Sequence, residues 1–292
     1  MAKQDWLFLW ILSLLWGGSF VFVELALRGL PTLSVVWLRV AGAAVLLAFW
    51  LRLSGVSMPR GKGVWRALLI MGLLNNVVPF TLFVLAQGRI EGALAAIVNA
   101  TTPLWTVLLA HAFTADERLT LPKSAGVALG FSGVIVMTGV NGTGEGWAIL
   151  GCLAAALSYG LAGVWGRRFR PLGLVPPQVA FGQVLSSSLI LAPVWLITDR
   201  PWAMGFPGAG PLLAVAGLAA LSTALAYLIY FRLLGRVGAT MLSLVTFLIP
   251  VSAVALGVVL LGEHLEARHM AGFGLICLGL LAIDGRVLRW RG

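Results

Sequence analysis

Residues 92–114 read GALAAIVNATTPLWTVLLAHAFT, with no Lys, Arg, Asp or Glu among them. At 1.5 Å of rise per residue, a helix of this length crosses the ~30 Å hydrocarbon layer of a bilayer. The apolar residues run on continuously instead of alternating every second position, which excludes a transmembrane β-strand. Residues 238–261, GATMLSLVTFLIPVSAVALGVVLL, repeat the design, with Pro250 placed in mid-run as Pro103 is in the first. Working outward, runs of the same kind fall at 6–27, 33–51, 64–87, 121–140, 147–166, 174–197, 209–231 and 268–287. The chain therefore reads as an all-α integral membrane protein with ten transmembrane helices. Composition agrees: of 292 residues 10% are charged, where a soluble protein keeps roughly a quarter.

Short polar hinges divide the runs, among them Arg28-Gly29-Leu30-Pro31 and Asp199-Arg200-Pro201. The first run follows Lys3 as the apolar part of a secretory signal would. It is too long for one, however, and continues through Trp16-Gly17-Gly18-Ser19 with no small-x-small cleavage site, so it is expected to stay as the first helix.

The 20 Lys and Arg residues orient the bundle. With the N-terminus in the cytoplasm, the inner side receives Lys3, Arg52, Arg60, Lys62, Arg66, Arg118, Lys123, Arg167, Arg168, Arg170, Arg232, Arg236, Arg286, Arg289 and Arg291. The outer side receives only Arg28, Arg89, Arg200 and Arg268, and Arg39 falls inside a span. This is a strong positive-inside asymmetry and puts both termini in the cytoplasm. Anionic lipid of the inner leaflet accounts for the net charge of +10, and no nucleic-acid partner is called for. Cys152 and Cys277 both fall within spans, which points to neither a disulfide nor a metal site.

An internal echo links the two halves. Gly88-Arg89, Pro103, Glu117-Arg118-Leu119, Gly126, Gly133 and Gly139 are answered by Gly235-Arg236, Pro250, Glu263-His264-Leu265, Gly272, Gly279 and Gly285. Five helices per half is an odd number, so the second half starts on the opposite side and the halves, 1–140 and 147–292, are inverted. Glu117 then faces the cytoplasm and Glu263 the outside. Substrate sites between inverted repeats recur in secondary transporters, although channels also use such repeats. A proline in mid-span frees a backbone carbonyl, which is tolerated where that group finds a partner or lines a cavity. On the fourth span Asn99, Thr102, Pro103 and Thr106 share a face, and on the ninth Ser243, Thr246 and Pro250 do.

The opening Leu15-Trp16-Gly17-Gly18-Ser19-Phe20-Val21, Pro31, Arg39 and Ala41, then the Pro103 to Leu119 unit and its second copy, resemble the EamA branch of the drug/metabolite transporter superfamily. The resemblance covers the whole chain as two tandem copies, and within the superfamily it is strongest to bacterial aromatic amino-acid exporters. It implies an inner-membrane exporter with a central cavity lined by spans 1–4 and 6–9, and with spans 5 and 10 at the periphery. The first copy departs from the family pattern at Asp116-Glu117, where the second has Gly262-Glu263.

The interior narrows the substrate. Ionisable residues inside a membrane are costly and are functional candidates. Only Glu24 and Arg39 lie clearly inside, at similar depth on adjacent helices, and they are expected to pair. Such a pair could lock two helices together, or it could grip a substrate's amino and carboxylate groups. No acid sits at mid-membrane to exchange a proton for an organic cation, and no Lys/Arg cluster is present for a phosphorylated sugar. A substrate without net charge, such as a neutral or zwitterionic amino acid, fits best.

The candidate binding residues are then Trp16, Phe20, Glu24, Arg39, Asn75, Asn76, Pro79, Asn99, Thr102, Pro103, Trp105, Ser158, Tyr159, Trp165, Gln183, Thr223, Tyr227, Thr246 and Pro250. Amides and hydroxyls among them bind polar groups, and the aromatic side chains accept an apolar substrate side chain. Trp6, Trp10, Trp147, Trp195, Trp202 and Trp290, near span ends, read as interfacial belt residues. Gly126 and Gly130 form a GxxxG, and Gly160, Gly163 and Gly166 recur every third residue, as at close helix contacts. No cofactor or metal motif occurs, Gly61-Lys62-Gly63 lacks the P-loop spacing, and neither HExxH nor a paired mid-membrane acid suggests an enzyme. A multidrug or other metabolite exporter is the alternative carrier, and a channel the more distant one. Ten helices suffice for a complete cavity in a monomer.

Overall fold

The structure, a computed structural model, describes residues 3–114, 117–138, 145–242 and 244–284. Among them run ten helices: α1 Lys3–Leu27, α2 Thr32–Leu53, α3 Lys62–Gln87, α4 Gly92–Phe113, α5 Leu121–Thr138, α6 Glu145–Gly166, α7 Pro176–Asp199, α8 Ala209–Gly238, α9 Val245–Leu261 and α10 Ala267–Asp284. The first eight are long and apolar enough to cross a membrane. At ~1.5 Å per residue, α9 and α10 are about 25 Å long, the short end of what spans a bilayer.

Most ends lie within a few residues of the expected ones, because proline and glycine set them. Pro31 stands in an extended conformation before α2, Pro176 opens α7, and left-handed Arg200 (φ 48°) closes it. α8 differs, running on past residue 231 to Gly238, whose φ of 76° breaks the helix. Two arginines make that extension possible. The Arg232 guanidinium lies 4.9 Å from the Phe8 ring centroid, and Arg236 Nε donates to Asp5 Oδ1 at 2.9 Å. Both cations are thus met by the start of α1, and the helix continues to the interface with their stems along its surface. The regular part of α9 consequently begins at Val245, and Ser243 lies outside the described residues.

The helices pack in an exchanged pattern. α1 lies against α8 and α9, whereas α6, which opens the second half, lies against α3 and α4. α2 packs on α7. α5 and α10 form a pair of their own, where a methyl at Gly126 would stand 2.5 Å from the Gly279 carbonyl oxygen, and one at Gly133 2.5 Å from that of Gly272. Such small residues let two backbones approach, the main route to helix association in lipid. Gly130 instead receives the Leu104 side chain from α4. Of the three-residue glycine series only Gly160 is a tight contact, against Thr106 and Trp105 of α4.

Among the described residues three of the helices contain π-turns, and those of α3, Leu73–Val77, and α8, Ala220–Leu225, begin 147 residues apart. A π-turn shifts the bonding ladder to i→i+5 and leaves a carbonyl to be matched otherwise. Pro79, which has no N–H, would face the Leu74 carbonyl in that register, and Ser158 Oγ of α6 donates to it instead at 2.7 Å. In α8 the Thr223 hydroxyl donates to the Leu218 carbonyl at 2.8 Å. In α4 the break lies at Ala100–Thr101, just before Pro103; the Asn99 carbonyl that Pro103 cannot bond accepts from Thr102 Oγ1 at 2.8 Å. Pro250 is not matched by such a break, since the helix Val245–Leu256 runs through it. α9 has already been interrupted before Val245, and its π-turn lies further on, at Gly257–Leu261.

Candidate functional site

Asn75 and Asn76 of the α3 π-turn meet α7 and Tyr227, which stands just past the α8 π-turn, in the interior. Asn75 Nδ2 donates to Gln183 Oε1 at 2.9 Å and to the Tyr227 hydroxyl at 3.2 Å. That hydroxyl donates to Asn76 Oδ1 at 3.0 Å, and Asn76 Nδ2 donates to Ser187 Oγ at 3.1 Å. The Ser187 hydroxyl in turn reaches the carbonyls of Gln183, at 2.6 Å, and Gly72, at 3.0 Å. Three helices, α3, α7 and α8, are thereby tied by neutral groups that would each be costly to bury alone.

Arg39 of α2 borders this network. It is 7% exposed, its guanidinium carbon lies 3.7 Å from the Phe80 ring centroid, and its Nε donates to Thr223 Oγ1 at 3.0 Å. Tyr159 and Tyr227 lie within Coulombic reach of its charge. The expected pair with Glu24 is not formed. Arg39 faces α8, with which α2 packs, whereas Glu24 lines a recess at one end of the bundle together with Arg28, Gln87, Arg89, Glu91 and Glu263. Among the described residues no carboxylate pairs with Arg39, and its two terminal nitrogens donate no hydrogen bond; the Tyr159 hydroxyl likewise has no partner. A guanidinium fork with its outer edge free is a ready receptor for a carboxylate.

Aromatic rings adjoin the polar groups. Phe20 meets Phe83 edge-on at 5.9 Å between centroids, Phe83 stacks near Tyr159 at 6.2 Å, and Trp16 lies 5.5 Å from Tyr230. Phe231 bridges Tyr230 and Tyr227 at 5.2 and 6.3 Å.

Of the expected residues, Arg39, Asn75, Asn76, Ser158, Tyr159, Gln183, Thr223 and Tyr227 thus come together, with Trp16 and Phe20 in the aromatic chain and Pro79 shaping the turn. The others lie elsewhere. Asn99, Thr102 and Pro103 bond one another's backbone at the break in α4. Trp105 packs edge-on against Phe131 of α5 at 4.8 Å. Trp165 donates to the Ala67 carbonyl at 3.0 Å beneath Arg168, at a bundle end. Pro250 is buried on α9, the helix against which Gly17 of α1 packs, and Thr246 lies on the same helix. Trp195, expected in the interfacial belt, stacks on Trp37 at 3.8 Å and donates to Ser34 Oγ, which itself donates to Asp199. Trp6, Trp10, Trp147 and Trp202 are exposed, as belt residues are, and Trp290 lies outside the described residues.

Sequence reasoning missed Phe80 and Phe83, whose phenyl rings look like ordinary span filling. It also gave no ligating role to Glu263, a loop residue whose carboxylate is buried by a partner distant in sequence.

Comparison with known proteins places these features. The EamA-like transporter family model matches twice, over residues 5–139 and 146–283. The chain is 29% identical to the "Probable amino-acid metabolite efflux pump" of Escherichia coli (strain K12), over 100% of this chain and 98% of that protein. It is 26% identical to the "Uncharacterized inner membrane transporter YedA" of the same strain, over 94% and 89%, and 27% identical to "Protein PecM" of Dickeya dadantii (strain 3937), over 79% and 77%. A crystal structure at 19% identity shares the fold, with a TM-score of 0.70 over 99% of both chains. With both copies of the family model spanning its ten helices, this chain belongs to the EamA-like transporter family.

Proposed function

We propose that this chain is a secondary transporter that exports neutral, zwitterionic amino acids, aromatic ones foremost, across the inner membrane. The observation that carries this reading is Arg39: one buried guanidinium with a free edge, beside neutral hydrogen-bonding groups and aromatic rings. A substrate carboxylate would take the fork, and carbonyl and hydroxyl oxygens of the Asn75–Gln183–Tyr227 network would take the ammonium. The apolar side chain would lie along Phe20, Phe83 and Tyr159. One cation balances one carboxylate, which fits a substrate of zero net charge better than an organic cation. The printed name of the E. coli efflux pump agrees with this class of substrate.

Transport would proceed by alternating access of two inverted halves, 1–140 and 147–292, with both termini in the cytoplasm and a monomer sufficient. The π-turns 147 residues apart and the exchanged packing of α1 and α6 support that symmetry.

Proteoliposomes loaded with unlabelled phenylalanine test the reading. Labelled phenylalanine should enter by saturable counterflow, with threonine weaker and lysine excluded. Flux that neither saturates nor responds to trans substrate would indicate a channel, and transport of hydrophobic cations but not amino acids would indicate the multidrug alternative.

A further inference from the structure

The outer surface of the bundle between α3 and α6 carries a groove that plays no part in the site above. The first part of α3, Lys62–Gly72, packs on α6 and α7. Met71 reaches Gly166 of α6, whereas Leu68 packs on Gly182 of α7 and Gly72 on Gln183. The third side of the helix carries Arg66, Leu69 and Leu73, spaced three and four residues apart, and all three are exposed. Turned away from both neighbouring helices, this side faces the lipid.

Where the strip reaches the end of the bundle lies a recess of about 340 Å³, lined by Arg66, Ala67, Trp165, Arg168, Pro171 and Leu172 among others. That volume is at the lower end of those that hold small ligands. Trp165 is fixed by its indole N–H, which donates to the Ala67 carbonyl at 3.0 Å, and the Arg168 guanidinium carbon lies 3.9 Å from the centroid of that ring. One face of this guanidinium is therefore covered while its N–H edge stays open. Among the described residues neither the Arg66 nor the Arg168 guanidinium donates a hydrogen bond or joins an ion pair, and neighbouring Lys62 and Arg170 form no ion pair either. The charge count assigns this end to the cytoplasm, where the leaflet surface is anionic.

We propose that this recess binds the headgroup phosphate of an anionic phospholipid, with an acyl chain lying along Leu69 and Leu73. Two open guanidinium edges on one cavity match a phosphate, which accepts charge-assisted bonds from several donors at once. Two cations facing one phosphodiester leave no place for a headgroup ammonium, so the lipid is one whose headgroup bears no positive charge. An indole at the interface suits such a headgroup. The exposed leucines select a lipid over a soluble phosphate. They continue from Arg66 along the same face of α3 towards the middle of the span, and only an amphipathic ligand covers both parts. Binding rests on the membrane-spanning fold and needs no amino-acid substrate.

Native mass spectrometry of the detergent-purified protein, titrated with defined lipids, tests the site. The wild type should bind phosphatidylglycerol about tenfold or more tightly than phosphatidylcholine, which carries the same phosphate beside an ammonium. R66Q/R168Q should bring the two lipids to within about twofold of each other. R60Q/R170Q removes the same charge from the same end but outside the recess, and should keep the preference. All four arginines are exposed, so the variants should fold, and unchanged thermal transitions by circular dichroism check this. Equal binding of both lipids by the wild type overturns the proposal, and so does equal loss in the two double variants, which would mean diffuse surface charge. Glycerol 3-phosphate and inorganic phosphate, at the concentration of the lipid, should leave bound phosphatidylglycerol in place. Displacement by either would assign the recess to a soluble phosphate and overturn the lipid assignment.

Discussion

Arg39 makes the most specific residue-scale claims. Its Nε is held by Thr223 and its face by Phe80, so the fork is aimed while its outer edge stays free. R39Q should raise the KM for phenylalanine roughly ten- to a hundredfold, the worth of a charge-assisted hydrogen bond. R39K keeps the charge but loses the planar fork, and should recover only part of that. A KM unchanged in R39Q would remove Arg39 from the site. Because Glu24 and Arg39 face different surroundings, the effects of E24Q and R39Q on KM should add to within about 0.5 kcal/mol, and a charge swap should not rescue. Strong coupling in that double-mutant cycle would show that the two residues do meet during transport. The sequence led to an expected pair because both residues fall within neighbouring spans, yet Glu24 lines the end recess and Arg39 meets Thr223 and Phe80. The direction in which each helix turns its side chain comes from packing, and hydropathy does not record it.

At the scale of the helices, the spans were legible because each needs about twenty apolar residues, and prolines and glycines punctuate them. The π-turns were not legible, because an apolar window looks the same whether the ladder runs i→i+4 or i→i+5. Pro79 and Asn75-Asn76 were their only trace. The prolines also show what sequence leaves out. Pro103 lies next to a helix break and Pro250 lies within a continuous helix, because the interruption near α9 has moved towards Gly238. Two stability predictions belong here. S158A withdraws the donor that satisfies the Leu74 carbonyl left over by Pro79, and should cost about 1–2 kcal/mol. G279L forces a side chain into the Gly126 backbone and should cost about 2 kcal/mol or more. Reversible unfolding in mixed micelles measures both. A G279L protein as stable as the wild type would mean that α5 and α10 do not approach as closely as described.

Across the whole molecule, the exchange of first helices is the organising feature: α1 belongs with the second half and α6 with the first. Each half is thereby completed by a helix of the other. The family echo in the sequence predicted two copies, but not this exchange, since no residue pattern states which neighbour a helix chooses. The site was legible in its chemistry, amides, hydroxyls, aromatics and one arginine, and illegible in its membership. Asn99 and Thr102 look as suitable as Asn75 and Asn76 until the carbonyl freed by Pro103 is seen to occupy the Thr102 hydroxyl.

The central claim is a carrier whose interior recognises a zwitterion through Arg39. Counterflow in proteoliposomes, comparing labelled phenylalanine with phenethylamine, which lacks the carboxylate, tests it most directly. The account predicts saturable phenylalanine counterflow that phenethylamine neither matches nor inhibits, and its loss at the same phenylalanine concentration in R39Q. Equal transport of both compounds, unaffected by R39Q, would contradict it.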